Sequence, residues 1–141
     1  MSSSNIDVPL SPSDLLQTSK KKSLHYACIC ARVADDYRGR DTVVLDLTQI
    51  TPIFDYFVVT TGTSRRQMHA VAEEADRVLS VHGSTRLGIE GYRESSWIVQ
   101  DYGDIVLHVF LPETRARYDL EHLWADAKRV DWKSVADGSD A

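Results

Sequence analysis

The most chemistry-like segment of this chain is Gly62-Thr63-Ser64-Arg65-Arg66, which follows a β-branched run and opens a stretch of apolar periodicity. A glycine lets the backbone turn tightly, two hydroxyls and free helix N–H groups can cradle a phosphate, and two arginines add positive charge. Phosphate binding or nucleotidyl transfer is the chemistry such a turn could serve. That chemistry also needs two or three carboxylates converging on magnesium, to activate the attacking oxygen and neutralise the leaving phosphates. No Asp-x-Asp stands on a core strand. Asp101 and Asp104 straddle a turn and are expected to point to solvent. The competing reading is that Gly62, Thr63 and Ser64 end a strand and cap a helix, and the missing carboxylates favour it.

Other catalytic arrangements find less support. His25, His69, His82, His108 and His122 are scattered, and none has a second histidine or a cysteine at metal-ligand spacing. His108 sits in an apolar run, where a lone histidine is more often a hydrogen-bonded structural residue than a ligand. A nucleophile elbow needs a second glycine that Gly62-Thr63-Ser64-Arg65 lacks. Contact chemistry has better candidates. Trp97 follows the polar run Arg93-Glu94-Ser95-Ser96, and Tyr102 stands in a turn flanked by Asp101 and Asp104. Interface hot spots favour Trp, Tyr and Arg, and an acidic rim steers toward a basic partner. Trp97 fits a core lid and a contact anchor equally well, whereas a turn position predicts an exposed Tyr102.

The chain that must position these residues has 141 of them, 43% hydrophobic, enough for one core. A net charge of -5 disfavours general binding of phosphate backbones and suits a basic protein partner. Cys28 and Cys30 are the only cysteines. On a helix their side chains diverge by about 200°, so no disulfide is expected and a reducing compartment fits. The first 23 residues lack a signal-peptide apolar core and contain no arginine, and no run reaches the ~20 apolar residues of a membrane span. A cytoplasmic protein is expected.

Residues 1–21, rich in serine and proline, read as a flexible extension with at most a helical turn near Asp14–Gln17, and residues 133–141 as a flexible tail. The domain is expected over residues 22–132. Leu24, Ala27, Cys28, Ala31 and Ala34 mark a helix that Gly39 stops. Thr42–Leu47 and Asp55–Thr60 read as neighbouring strands. Met68, Val71, Ala72, Ala75, Val78 and Leu79 mark a second helix, capped by Thr63 or Ser64 and stopped at Gly83. Arg86–Glu90 reads as a short strand, and Trp97–Gln100 and Ile105–Phe110 as a tight hairpin, the last strand buried on both faces. Pro112 opens a final helical region anchored by Tyr118, Leu120, Leu123 and Trp124. The order predicts an α/β fold, a mixed five-stranded sheet flanked by helices.

Several stretches then carry a family likeness: Asp46-Leu47, Asp55 to Ser64 with Gln67, Glu90-Gly91, Trp97-Ile98-Val99-x-Asp101-x-Gly103-Asp104-Ile105-Val106-x-His108-Val109-Phe110, and Arg115-x-x-Tyr118-x-Leu120-Glu121-x-Leu123-Trp124. In this order, from Leu24 to Trp124, the chain closely resembles the Iojap-like ribosomal silencing factor family. The resemblance implies a nucleotidyltransferase-like topology without a catalytic metal site, and a protein that works without chemistry or a cofactor. It implies binding to the fourteenth protein of the large ribosomal subunit, where it blocks joining of the small subunit when nutrients are short. Related organellar members act in large-subunit assembly, and homodimers occur in the family. By position the contact residues would be Trp97, Asp101, Tyr102, Gly103 and Asp104, with Arg93 beside them. Arg117 departs from the family, which carries an apolar or aromatic residue before Tyr118.

Overall fold

A computed structural model describes residues 11–136. Helix α1 (Pro12–Asp36) precedes strands β1 (Arg40–Asp46) and β2 (Tyr56–Thr61), and helix α2 (Arg65–Val81) follows them. Strands β3 (Gly88–Glu90), β4 (Trp97–Asp101) and β5 (Ile105–Phe110) come next. The chain ends in short helices α3 (Pro112–Tyr118) and α4 (Leu120–Leu123), strand β6 (Lys128–Arg129) and helix α5 (Trp132–Ala136). The sheet runs β3-β4-β5-β2-β1-β6; only β2 and β5 pair in parallel.

The mixed α/β class is as the sequence predicts, but the sheet has six strands rather than five. The sixth is two residues, Lys128 and Arg129, laid against Asp46 and Leu45. Two adjacent basic residues have no β signature, so this strand arises from tertiary pairing alone. Helix α1 also starts well before Leu24. Ser11 caps it, its hydroxyl accepting from the Asp14 N–H at 3.1 Å, and Pro12 follows at a position where no N–H is needed. The serine and proline read as loop residues are a helix start. Residues 133–136, read as the start of a flexible tail, instead continue helix α5, and the rest of the expected flexible ends, residues 1–10 and 137–141, lies outside the described residues.

All twelve residues of β2 and β5 are buried, so both sheet faces must be covered. On the first face α1, α2 and α5 enclose Val58, Met68, Val71, Ile98, Leu107 and Val109. Trp132 completes this layer, 6% exposed, its indole N–H donating to the Thr42 carbonyl at 3.0 Å. On the second face Leu45, Leu47, Phe57, Val59, Val106 and Phe110 are covered by little more than Leu120, Trp124 and Trp97. Arg115 holds this cover down. It pairs with Glu121 at 2.6 Å and donates to the Thr61 hydroxyl at 2.7 Å, joining α3 and α4 to the end of β2. Arg117 is exposed, and Tyr118 reaches the sheet without it. Among the described residues no helix is long and apolar enough to cross a membrane.

Trp132→Ala is expected to cost about 3–5 kcal/mol of stability, the usual range for emptying a buried indole site. Equilibrium urea unfolding measures it, and a loss below about 1 kcal/mol would show that α5 adds little to the first layer.

Candidate docking face

Trp97 and Asp101 begin and end β4, with Arg93 in the loop before it and Tyr102, Gly103 and Asp104 in the turn after it. Its partners in register are Phe110 opposite Trp97, His108 opposite Val99 and Val106 opposite Asp101. Alternation along a strand places Trp97, Val99 and Asp101 on the second face of the sheet. Trp97 and Asp101 are four residues apart, roughly 13 Å along the strand. They share a face but occupy opposite ends of it.

Trp97 is both lid and surface. Its ring stacks on Phe110 at 4.8 Å and meets Tyr118 at 4.8 Å, while its indole N–H donates to Nδ1 of His108 at 3.1 Å. The residue remains half-buried, and Tyr118 against it is 48% exposed. Phe57, packed edge-on against Trp124 and tilted toward Phe54, extends the aromatic layer across β2.

His108 sits at the centre of that layer. Burial pushes its pKa down to about 4, so the ring is neutral near pH 7. Because Nδ1 accepts from Trp97, the proton resides on Nε2, which has no hydrogen-bond partner among the described residues and lies in a ring packed 4.6 Å from Phe57.

The turn departs from expectation at two residues. Tyr102 is 6% exposed, not a surface residue. Asp101 ends β4, so Tyr102 falls on the first face, where its hydroxyl donates to Asp76 at 3.0 Å and accepts from Gln100 at 3.1 Å. Burial first, then the neighbouring Cys30 and Asp76, pushes its phenol far above the ordinary range. Asp104 does not face solvent freely either: one carboxylate oxygen lies 2.8 Å from the Ser23 hydroxyl of α1 and the other accepts from the Ile105 N–H. The same hydroxyl stands 2.8 Å from Asp55. Having one hydrogen, it serves one carboxylate at a time. Gly103 adopts φ 90°, the left-handed conformation that a two-residue hairpin asks of its first central residue. Asp101 caps the turn by accepting from the Gly103 N–H at 2.7 Å. Arg93 is exposed, and its carbonyl accepts from Arg65 at 3.1 Å.

The phosphate-like turn is occupied by its own side chains. Ser64 caps α2, accepting from the Gln67 N–H, and the Gln67 side chain reaches back to the Thr63 N–H at 2.9 Å. A Cβ on Gly62 would fall 2.4 Å from the buried Met68 side chain, so this glycine answers to packing. One arrangement escaped sequence reading: His69 Nε2 lies 2.8 Å from the Ser95 hydroxyl. It also lies 2.7 Å from the Tyr92 carbonyl, which can only accept, so Nε2 carries the proton and cannot take one from Ser95. With His69 stacked on Tyr92 at 3.9 Å, and Tyr92 bonded to Glu73, this dyad fastens the loop before β4. Its members are 26 residues apart, a proximity no local pattern announces. Among the described residues no group of three His, Cys, Asp or Glu side chains could hold a metal ion.

Fold and site define a mixed α/β domain, its six-stranded sheet flanked by helices, in which the turn at Gly62 serves as a helix cap. A model of the family described as "Ribosomal silencing factor during starvation" matches residues 20–141. The chain belongs to this family, the ribosomal silencing factors, a class of ribosome-associated regulatory proteins. It is 36% identical over 107 residues to the ribosomal silencing factor RsfS of Halalkalibacterium halodurans, covering 76% of this chain and 92% of that one. It is 38% identical over 103 residues to RsfS of Bacillus subtilis, covering 73% and 87%. A crystal structure of a Chromobacterium violaceum protein superposes with a TM-score of 0.69 at 35% identity, covering 72% of this chain and 84% of that one.

The depressed pKa of His108 has a stability consequence. A histidine with an ordinary pKa near 6.5 when unfolded and about 4 when folded contributes fully above pH 6.5, and the contribution falls away as pH drops toward 4. Between pH 7 and pH 5 the wild type is expected to lose about 2 kcal/mol more unfolding free energy than His108→Phe, measured by urea titration at both pH values. Equal losses would show that His108 is not buried neutral.

Proposed function

We propose that this chain binds the large ribosomal subunit at its fourteenth protein and, by occupying the joining surface, keeps the small subunit away when nutrients are scarce. The proposed contact set is Trp97, Asp101 and Gly103, with Arg93 at its edge. Tyr102 and Asp104 shape the hairpin from within rather than touching the partner. The observation that carries this reading is Trp97 itself: a half-buried indole held by Phe110, Tyr118 and His108, at the head of a face only partly covered. An anchor already held in place loses little freedom on binding, and aromatic anchors of this kind dominate interface energetics. Occlusion needs no catalysis and no cofactor, in keeping with a turn after Gly62 in which the Thr63 and Gln67 N–H groups are capped by side chains of the turn itself. The working compartment in this reading is the cytoplasm, and the uncovered edge strand β3 leaves room for a homodimer.

A second reading, assistance in building the large subunit, is favoured by one relative. The mouse protein named mitochondrial assembly of ribosomal large subunit protein 1 is 36% identical over 89 residues, covering 61% of this chain and 39% of that one. The two readings share a docking partner and differ in when it is met.

Co-sedimentation with isolated ribosomal subunits tests the proposal. Wild type is expected to travel with large subunits and to lower the yield of joined particles when small subunits are added. Trp97→Ala should weaken that association by about 2 kcal/mol or more. Tyr102→Phe should instead lower stability by about 1 kcal/mol and leave affinity in place. Failure of wild type to sediment with large subunits would refute the proposal, and unimpaired binding by Trp97→Ala would remove Trp97 from the contact set.

A further inference from the structure

The second face of the sheet is not roofed to its edge. Beyond Trp97 the pairing of β3 with β4 places Gly88 opposite Asp101 and Glu90 opposite Val99. Directly opposed residues on antiparallel strands share a face, so all four lie on the same side as Trp97. The intervening pair, Ile89 and Gln100, points the other way, toward the layer of α1 and α2. Gly88 and Glu90 are exposed, and Val99 and Asp101 are half-buried.

Gly88 is the informative residue. A Cβ on Gly91 would fall 2.0 Å from the Trp97 carbonyl, Gly62 is crowded by Met68, and Gly103 needs its positive φ. Gly88 meets none of these demands: nothing lies within 4 Å of its Cβ position, and its φ lies outside the left-handed range. The fold on its own would accept any strand-forming residue there. A glycine inside a strand weakens it, and one recurrent use is close approach by another backbone or ligand. The charges around it specify the visitor. Glu90 and Asp101 bring two carboxylates to the strip, and among the described residues no ion pair involves either.

We infer that the strip formed by Gly88, Glu90, Val99 and Asp101 is the floor of the docking face, and that it receives a basic protein surface. A partner segment lies flat over Gly88 and Val99 while its lysine or arginine side chains reach Glu90 and Asp101. This inference rests on the large-subunit reading above and adds the partner's chemistry to it. Two carboxylates repel a phosphate backbone, so the visitor is protein and not RNA. Electrostatic complementarity of this kind sets partner choice and register.

The test uses the full chain. Gly88→Val fills the open space and raises strand propensity, so its melting temperature should equal or exceed that of wild type. Its affinity for large subunits should fall about tenfold or more, as expected when a contact surface is blocked. Glu90→Lys should also weaken binding, by about fivefold or more, since it sets like charge against the partner. If wild type binds and both variants match it while Trp97→Ala does not, the strip is not the floor, although the docking reading stands. Should Gly88→Val fail to fold, Glu90→Lys decides alone. Failure of wild type to bind removes the docking reading, and this inference with it. Retention by protein-free ribosomal RNA as strong as by intact subunits would overturn the protein assignment. A change in the mass of the free protein in Gly88→Val, read by analytical ultracentrifugation, would make the strip a self-interface and overturn the inference too.

Discussion

Everything in this fold follows from the burial of the parallel pair β2 and β5. Their twelve residues are all withdrawn from water, and a sheet buried at its centre needs a layer on each face. The first layer is built from two long helices and finished by α5. The second is improvised from two short helices, seven and four residues long, too short to be stable by themselves. Arg115 compensates, binding Glu121 across the α3–α4 junction and Thr61 at the end of β2. Burial alone would raise the Glu121 pKa, yet the arginine holds it below the ordinary value, so the pair stays charged near neutral pH. The family stretch from Arg115 to Trp124 is thereby a structural unit: the arginine and glutamate clamp, and Tyr118, Leu120 and Trp124 cover.

An unequal pair of layers has a functional consequence. The face under α1 and α2 is closed, and its polar groups bond one another: Gln100, Tyr102, Asp76 and Arg86 in one cluster, Ser23 with Asp55 and Asp104 in another. The face under α3 and α4 stays thin, and its boundary is Trp97. A tryptophan there completes the layer while staying partly exposed, because its area exceeds what a half-roofed site can hide. The lid role is thus visible in the contacts with Phe110, Tyr118 and His108, and the anchor role belongs to the proposal. The partly buried hydrogen bond to His108 fixes the ring orientation, and the depressed pKa of His108 keeps that acceptor neutral at ordinary pH.

What the sequence made legible was local. The stripe from Met68 to Leu79 and the apolar β5 each carry their own periodicity, and each folds as read; the hairpin between β4 and β5 exists as read but with a shorter turn. The misses are non-local or ambiguous. Strand β6 exists through pairing with β1 alone. Ser11 and Pro12 carry both loop and helix-start meanings, and only the continuity of α1 selects the second. Tyr102 illustrates a subtler error, since turn positions are usually exposed. The hairpin closes one residue later than its sequence suggests, with the Tyr102 N–H bonded to Ile105, so the ring keeps strand alternation and turns inward. Asp104 finds Ser23, 81 residues away, a contact that no window of sequence could contain.

The Gly62 turn shows how the residues of a phosphate-type motif can serve the fold itself. A strand that ends under a helix N-terminus needs a small residue for the crossing and a hydroxyl for the cap, and those are also the residues that cradle phosphate. Discrimination lies in who holds the N–H groups. Here Ser64 takes the Gln67 N–H, the Gln67 side chain takes that of Thr63, and a Cβ at Gly62 would collide with Met68 rather than with a ligand. Gly88 presents the reverse case, with no motif around it and open space above it. Of the two glycines, the one inside the motif is explained by the fold, and the one outside any motif is not. A residue that the folded chain does not require is the better indicator of something outside the chain, which is why the proposed floor of the docking face lies at β3 and not at the turn.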